Sequence, residues 1–353
     1  MLSQFGPSTW VAVLLGGLLA VLAFVPVAAY RYRKAGRLRA VDLFTLLCVA
    51  VYSVALWSYT LVPLPEHEHY RCLGHNLRLF AFIGDIRVDP HRLLANRGFL
   101  QAAFNVVLFA PFGFFVRVLT RRGVVVATLA GLATSLAIEL TQLTGVWGLF
   151  PCAYRLFDVD DLLLNTAGAT LGSLVALPVV AMLRERRPLP AVTRVTLGRR
   201  LTGIAADVLV ANLIGLPLAV AWRALALYVL QLPLDRLPGW VDALLIAGAP
   251  LLVEGYWVLN RGRTIGEAVV QLEPVARTQA VRTSRSIKLA SGVGAFLVLG
   301  SVEQLGFAYL GFVLLSLGWV VWSRDHRGLS HTLARMDLIV ERQPTVEPTS
   351  DNG

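Results

Sequence analysis

Carboxylate and amide side chains interrupt apolar segments of this sequence. Glu139 and Gln142 lie three residues apart in the run SLAIELTQL, so a helix places them on one face. Asp161 and Asn165 are four residues apart in the run FDVDDLLLNTAGATLG. A charged group within a membrane span costs about 2.5–3.5 kcal/mol on insertion scales. These groups therefore need a partner, a proton, a metal ion or a ligand.

The polar residues are predicted to meet at one level of a helix bundle, just below the outer membrane surface. Paired carboxylates can act as acid and base or bind a divalent metal ion through oxygen. Helix capping, an ion pair from Arg97 or Arg155 to Glu139, and hydrogen bonds between helices are the structural alternatives. The candidate site comprises Asn105, Glu139, Gln142, Arg155, Asp158, Asp161 and Asn165, with Glu139 and Asp161 as candidate catalytic residues.

A second polar set follows later in the chain. Arg200 and Asp207 lie seven residues apart, two helical turns, which favours an ion pair formed indirectly or through a third group. A charge path for ions through Glu139, Asp207, Glu254 and Glu303 is the alternative. His331, in a basic tail, is predicted to be solvated rather than a metal ligand.

The composition determines what elements must carry these residues. Hydrophobic residues make up 56% and charged residues 15% of the 353, and the mean hydropathy is +0.65. These values exclude a typical soluble enzyme, disorder and a disulfide scaffold. The apolar runs are about 20 residues long, the length of a membrane-spanning helix. We predict an all-α, polytopic membrane protein of the cell membrane.

Eight to nine transmembrane helices are expected. The last apolar run, 289–322, is too long for one untilted helix, so we favour a hairpin of two short helices over a single long one. The other predicted spans are about 10–29, 41–62, 99–119, 124–144, 162–183, 203–222 and 241–259.

The net charge of +10 reflects basic loops rather than a nucleic-acid partner. Lys and Arg number 20 in segments 30–40, 117–123, 184–203 and 260–288, against 8 in 63–98, 145–161 and 223–240. By the positive-inside rule the first set is cytoplasmic and the N-terminus lies outside.

Two cysteines, Cys72 and Cys152, fall in predicted outer loops. The sequence leaves a disulfide and two unpaired thiols open as alternatives. The loop histidines are predicted to be surface residues, with metal binding as the alternative; they are His67, His69, His75 and His91.

The first polar set carries a family resemblance. The runs Asn105–Gly113, Ser135–Gln142 and Arg155–Gly168 resemble the VanZ-like family in order and spacing, over about residues 40–183. The resemblance implies an accessory membrane protein linked to resistance against the glycopeptide teicoplanin. It also implies a family role for the seven candidate site residues given above.

Residues 195–340 resemble the RDD family of small membrane domains, through Arg200, Asp207 and the segment Gly262–Gly266. The chain departs from that pattern where Ser330-His331 replaces the usual His-Asp and where Glu267 replaces a lysine. We therefore predict a VanZ-like domain at 1–183, a basic linker at 184–199, an RDD-like domain at 200–340 and a disordered tail at 341–353.

Three functions compete at this point. An outer polar pocket that binds or shields a lipid-linked cell-wall intermediate, or a glycopeptide, is favoured. A membrane enzyme acting on a lipid head group with the same carboxylates is one alternative, and an ion or small-solute transporter in the second part is the other. No cofactor is predicted, although a divalent metal at the outer carboxylates is an open alternative. The bilayer itself is the one certain partner, and no nucleic acid is expected.

Overall fold

Long apolar helices account for most of the chain. The computed structural model describes residues 2–62, 64, 70–87, 94–185, 194–233 and 236–341. The seven principal helices are α1 (Leu2–Ala35), α2 (Ala40–Leu61), α4 (Arg97–Thr120), α5 (Val124–Leu143), α7 (Val159–Val175), α9 (Leu197–Ala224) and α11 (Ala249–Arg261).

Within the described ranges, seven helices are long and apolar enough to cross a membrane. Each overlaps one of the first seven predicted spans, and their ends differ by at most seven residues. The protein is therefore a polytopic α-helical, multi-pass membrane protein, as predicted.

The remaining elements are short. The short helices are α3 (Ala81–Arg87), α6 (Gly145–Gly148), α8 (Leu177–Glu185), α10 (Gly239–Ala243), α12 (Ile265–Val269), α13 (Val281–Ser291), α14 (Val293–Ser301), α15 (Gly306–Trp322) and α16 (Leu329–Leu333). Two π-helical segments, Leu225–Val229 and Leu244–Gly248, adjoin α9 and α11. The strands are β1 (His75–Asn76), β2 (Phe157–Asp158), β3 (Leu272–Ala276) and β4 (Met336–Val340).

The last apolar run is divided, so it yields two short helices and not one span. Helix α14 ends at Ser301, Val302 is extended, and α15 begins at Gly306. The rings of Phe296 and Tyr309 lie 5.5 Å apart between centroids, which brings the two helices together as the hairpin interpretation requires. The predicted total of eight to nine spans exceeds the seven found by length, because α15 has 17 residues and α14 nine.

The chain forms two compact units. The first comprises Met1–Ala20 and Phe44–Leu189. In it, glycines allow α4 and α7 to pack backbone to backbone. A Cβ at Gly113 would strike the carbonyl of Ala169, and one at Gly172 would strike the carbonyl of Ala110. The sequence Gly168–Gly172 is therefore a close-packing motif of the small-residue type.

The second unit comprises Val21–Leu43 and Pro190–Gly353. Its core includes Ala28 and Tyr32 from α1, packed with Ala206 and with Val270 and Leu272. Strands β3 and β4 form an antiparallel pair beside this core. The contacts thus group residues 21–43 with the later part of the chain, whereas the predicted first domain contained them.

Candidate functional site

Glu139 lies near the end of α5 and is almost fully buried. Its side chain is 2% exposed, and Oε2 accepts a hydrogen bond from the backbone N–H of Asp158 at 3.1 Å. The predicted ion pair with Arg97 or Arg155 is not formed. The Arg155 guanidinium is exposed and donates instead to the carbonyl of Thr60, at 2.8 Å. A backbone amide, rather than a cation, holds the Glu139 carboxylate.

The start of α7 supplies three more carboxylates. Asp158 is the N-cap, and its Oδ1 accepts from the backbone N–H of Asp160 at 2.9 Å. Asp161 accepts a hydrogen bond from the amide of Asn105 on α4. Asp161 and Asp158 both act electrostatically on Glu139. The structure thus brings Asn105, Glu139, Asp158 and Asp161 together; we call these four residues the carboxylate cluster.

The remaining amides join neighbouring helices. Gln142 donates to the Thr60 carbonyl on α2 at 2.6 Å. Asn165 donates to the Ser135 hydroxyl on α5 at 2.9 Å, and its buried Oδ1 has no hydrogen-bond partner among the described residues. Asn165 therefore faces α5, while Asp161, one turn earlier, faces α4. These contacts correspond to the structural alternative of hydrogen bonds between helices.

Residues 70–87 are linked to residues 152–158, which lead into α7, by a disulfide and hydrogen bonds. Cys72 and Cys152 are joined by a disulfide, with Cα atoms 5.6 Å apart. Strands β1 and β2 form a short parallel bridge, and the amide of Asn76 donates to Asp158 at 3.2 Å. The predicted sites His67, His69 and His91 lie outside the described residues, and His75 lies in β1.

Asp160, which is 3% exposed, anchors the same segment. Its two carboxylate oxygens accept the backbone N–H groups of Phe80, at 2.6 Å, and Phe82, at 3.1 Å. The sequence indicated Asp160 only as a helix cap. The donors to its carboxylate are backbone amides about 80 residues away in the sequence, and these carry no residue-type signal.

The segment α6, which follows α5, is a left-handed turn rather than a regular helix. Gly145, Val146, Trp147 and Gly148 all have positive φ, at 59°, 56°, 57° and 87°. A β-branched residue in this region is strained, and such strain concentrates at functional sites. The turn leaves Trp147 69% exposed at the end of α5 that carries Glu139.

Tyr154 lies beside this turn, between the spans. Its hydroxyl donates to the carbonyl of Leu61 at 3.2 Å. Burial raises the pKa of Tyr154, against an opposing effect of Arg155. The tyrosine is therefore a neutral hydrogen-bond donor that fixes residues 152–155 to the end of α2.

A second polar cluster lies in the second unit and was predicted only in part. Arg200 does not pair directly with Asp207. Its Nη1 donates to Glu267 Oε1 at 2.9 Å, and Asp207 accepts from the Thr264 hydroxyl, at 2.8 Å, and from the N–H of Gly266. Thr264 and Glu267 form a capping box at the start of α12, so this turn joins the two predicted residues.

Glu267 is the centre of this second cluster and is fully buried. Burial alone would raise the pKa of its carboxyl, but Lys288, His331 and Arg200 hold it well below the ordinary value. Lys288 is 2% exposed and donates to Glu267 and to the Gly262 carbonyl, the latter at 2.9 Å. Burial lowers the pKa of Lys288, which Glu267 opposes.

His331 is not solvated, contrary to expectation; it is completely buried. Its Nδ1 lies 3.3 Å from Nη2 of Arg200, and its Nε2 lies 2.9 Å from Glu267 Oε1. Burial lowers the pKa of His331 to about 4, so the imidazole is neutral at pH 7. An always-charged guanidinium at Nδ1 requires that atom to be the acceptor, which leaves the proton on Nε2.

Glu254 is also fully buried, on α11. Its Oε2 accepts the N–H of Ile265 at 3.2 Å, and its Oε1 has no hydrogen-bond partner within the described ranges. It does not neutralise Arg200. The side chain of Glu303, the last acid of the predicted charge path, lies outside the described part.

The described residues do not form a recognisable metal-binding site. No group of three or more His, Cys, Asp or Glu side chains there is arranged to hold a metal ion. At the carboxylate cluster, Glu139 and Asp161 each accept one hydrogen bond from the protein, which leaves oxygen lone pairs on both for a divalent cation.

The helices and their buried polar groups define a multi-pass membrane protein that carries a polar cluster inside its first helical unit. Residues 43–182 match the family model described as VanZ/LLP1, so the chain contains a VanZ-like domain at these positions. That range contains all four members of the carboxylate cluster. No curated protein and no solved structure matches the chain. The RDD resemblance of residues 195–340 lies outside the matched range, and none of these comparisons supports it.

Proposed function

We propose that the VanZ-like domain binds the polar head of a lipid-linked cell-wall intermediate at the carboxylate cluster, and that this changes the access of glycopeptide antibiotics to the intermediate. One observation carries the proposal. Glu139 and Asp161 lie close enough to interact electrostatically, and neither forms an ion pair with a described residue.

The hydrogen bonding of the cluster indicates what it would bind. Glu139 accepts one hydrogen bond and Asp161 accepts one, whereas an ionised carboxylate has about four acceptor positions. Acceptor capacity is therefore left over. A ligand with hydroxyl or amide donors, such as a sugar or peptide head group, suits this surplus. The disulfide and the contacts of Asp160 hold the surrounding segment in place, which lowers the entropic cost of binding.

Antibiotic susceptibility tests the proposal. A teicoplanin- and vancomycin-sensitive Gram-positive host would carry no copy, the wild type, Glu139→Gln or Asp161→Asn, with membrane abundance checked by blot. We expect the wild type to protect and both variants to lose protection by about tenfold, the equivalent of ~1.4 kcal/mol in binding. Glutamine still accepts the N–H of Asp158, so the substitution removes the charge and spares the fold.

Asp337→Asn is the matched control, because it removes an exposed carboxylate in the second unit. Protection by all variants alike would contradict a role for the cluster, and no protection by the wild type would contradict the proposed activity. Binding of a fluorescent glycopeptide to the same cells would show whether antibiotic access changes. If a chelator abolishes protection, the carboxylates act through a divalent cation; if a lipid product depends on Glu139, the domain is an enzyme.

We also propose that residues 200–340 form an RDD-like domain. The support is local: Arg200, Asp207 and the segment 262–266, which carry the resemblance, meet in one hydrogen-bonded network. Ion transport through this part would need a path past Arg200 and Lys288, two cations. Proton or sodium flux in proteoliposomes, compared with Asp207→Asn, tests that function directly.

A further inference from the structure

The second unit contains a cavity with a charged end and apolar walls. Its volume is about 250 Å³, and it lies among α9 and α13–α16. Arg200, Asp207, Glu267 and Lys288 form the charged end. The apolar walls include Ile204, Val208, Phe296, Phe312, Val313 and Leu317.

The cavity is elongated along two helices. On α9 its lining runs from Arg200 to Ala211, a rise of about 16 Å at 1.5 Å per residue. On α15 it runs from Phe312 to Val320. The charged groups of α9 precede its apolar lining residues Val208 and Ala211. An occupant would therefore need a polar head and an apolar chain.

Hydrogen bonding at the charged end leaves donors, not acceptors, unused. Both oxygens of Asp207 and both of Glu267 accept hydrogen bonds from the protein. Arg200 is 6% exposed, and its buried Nε–H has no hydrogen-bond partner among the described residues. Lys288 makes two hydrogen bonds with its three N–H groups. Further along the cavity, the buried hydroxyl of Ser316 also has no described partner.

We propose that this cavity binds a membrane phospholipid, with its phosphate oxygens at Arg200 and Lys288 and part of one acyl chain between α9 and α15. Phosphate oxygens are acceptors for the unused donors, and basic pockets between membrane helices are suited to phosphorylated head groups. At about 250 Å³ the cavity is smaller than a typical ligand pocket of roughly 300–1,000 Å³, so it encloses part of one lipid.

Photolabelling of the full-length protein tests the proposal without any substitution. The probe is a phospholipid with a photoreactive group in its acyl chain, added to protein in detergent. We expect labelled peptides to be enriched in residues 204–211 and 312–317. Excess unlabelled phospholipid should compete, whereas diacylglycerol and inorganic phosphate should not. Uniform labelling of lipid-facing surfaces, or equal competition by either of the last two, would overturn the proposal.

A substitution that fills the cavity provides the second test. Ser316→Phe places a ring among the apolar walls, while Leu314→Phe enlarges an exposed side chain, 62% accessible, on the same helix. We expect labelling of the cavity peptides to fall about tenfold in the first variant, ~1.4 kcal/mol, and to stay unchanged in the second. Unchanged labelling in a monodisperse Ser316→Phe protein would overturn the proposal. If that protein aggregates, Val313→Phe replaces it under the same criterion.

Discussion

At the scale of single residues, Glu267 neutralises two cations that the fold has removed from water. Arg200 and Lys288 both contact it, and all three side chains are less than 10% exposed. Removing one member of a buried ion pair leaves an uncompensated charge, which is more costly than losing an exposed pair.

Glu267→Gln is therefore expected to destabilise the protein by about 3–5 kcal/mol. Thermal unfolding in detergent, followed by thiol or intrinsic fluorescence, would show a Tm lower by roughly 10 °C. Asp337→Asn, which breaks an exposed pair with Arg277, should change stability by only ~0–1 kcal/mol. Equal effects of the two substitutions would show that Glu267 does not have this neutralising role.

His331 predicts a dependence of stability on pH. Glu267, Arg200 and Lys288 act on its ring electrostatically, and Ser330 lies beside it. Burial lowers its pKa to about 4 in the folded protein, whereas the unfolded imidazole titrates near ~6.5. The unfolded state therefore binds more protons between these values.

The free energy of unfolding should fall as the pH is lowered from 7 towards 4, by on the order of 3 kcal/mol. His331→Asn, which cannot titrate, should lose much of this slope between pH 7 and 5. The measurement is Tm against pH for both proteins in one detergent. Parallel curves would mean that the imidazole does not set the slope.

The two polar clusters differ in how much of them the sequence could predict. Glu139 and Asp161 were found because charge inside an apolar run is conspicuous. Their contacts were not found, because Glu139 is held by the backbone amide of Asp158 and backbone groups have no sequence signature. Lys288 and His331 lie in polar segments whose composition predicts solvated loops. Both are buried in the structure because residues 262–341 fold around them.

At the scale of elements, close contact between α4 and α7 depends on glycine. A Cβ at Gly172 would strike the Ala110 backbone, while one at Gly17 in α1 would meet nothing within 4 Å. Both glycines lie inside helices, so an alanine at either changes helix propensity in the same direction. The difference between the two variants therefore reports the packing contact at Gly172.

Gly172→Ala should destabilise the protein by about 1–3 kcal/mol, because the helices must move apart. Gly17→Ala should be neutral or stabilising by up to ~1 kcal/mol, because alanine favours the helix. The measurement is the Tm of each purified variant relative to the wild type. A stabilised Gly172→Ala protein would be incompatible with the contact described.

Five of the seven spans were predictable to within three residues at each end because their apolar length is set by the bilayer. The layer formed by α12, β3 and β4 was not predicted. Its two strands are separated by about 60 residues and are five residues each, too short for a periodic signal. The division of the last run into two helices was predicted from its length, which is too great for one untilted helix.

At the scale of the whole molecule, the chain joins a VanZ-like domain to a second helical unit. The unused groups of the two are complementary in kind: the carboxylate cluster has acceptors to spare, and the cavity of the second unit has donors. The first suits hydroxyl- or amide-bearing head groups and the second suits phosphates. Ligand experiments on the intact protein should therefore find two chemically distinct specificities.

The covalent link between Cys72 and Cys152 has a consequence for biogenesis. The chain has three cysteines, and Cys48 is the free one. Alkylation in denaturant of protein taken directly from cells should add one maleimide before reduction and three after it. A count of three before reduction would contradict the disulfide between Cys72 and Cys152.

That bond can form only where the surroundings are oxidising. The charge distribution predicts that both thiols face the outer side; if the chain were inserted the other way round, they would lie in the reducing cytosol and stay unpaired. A gel-shift assay of newly made, alkylated protein would thus separate molecules with the disulfide from molecules with free thiols. The fraction of molecules with this disulfide would therefore report the fraction in which Cys72 and Cys152 face the oxidising side of the membrane.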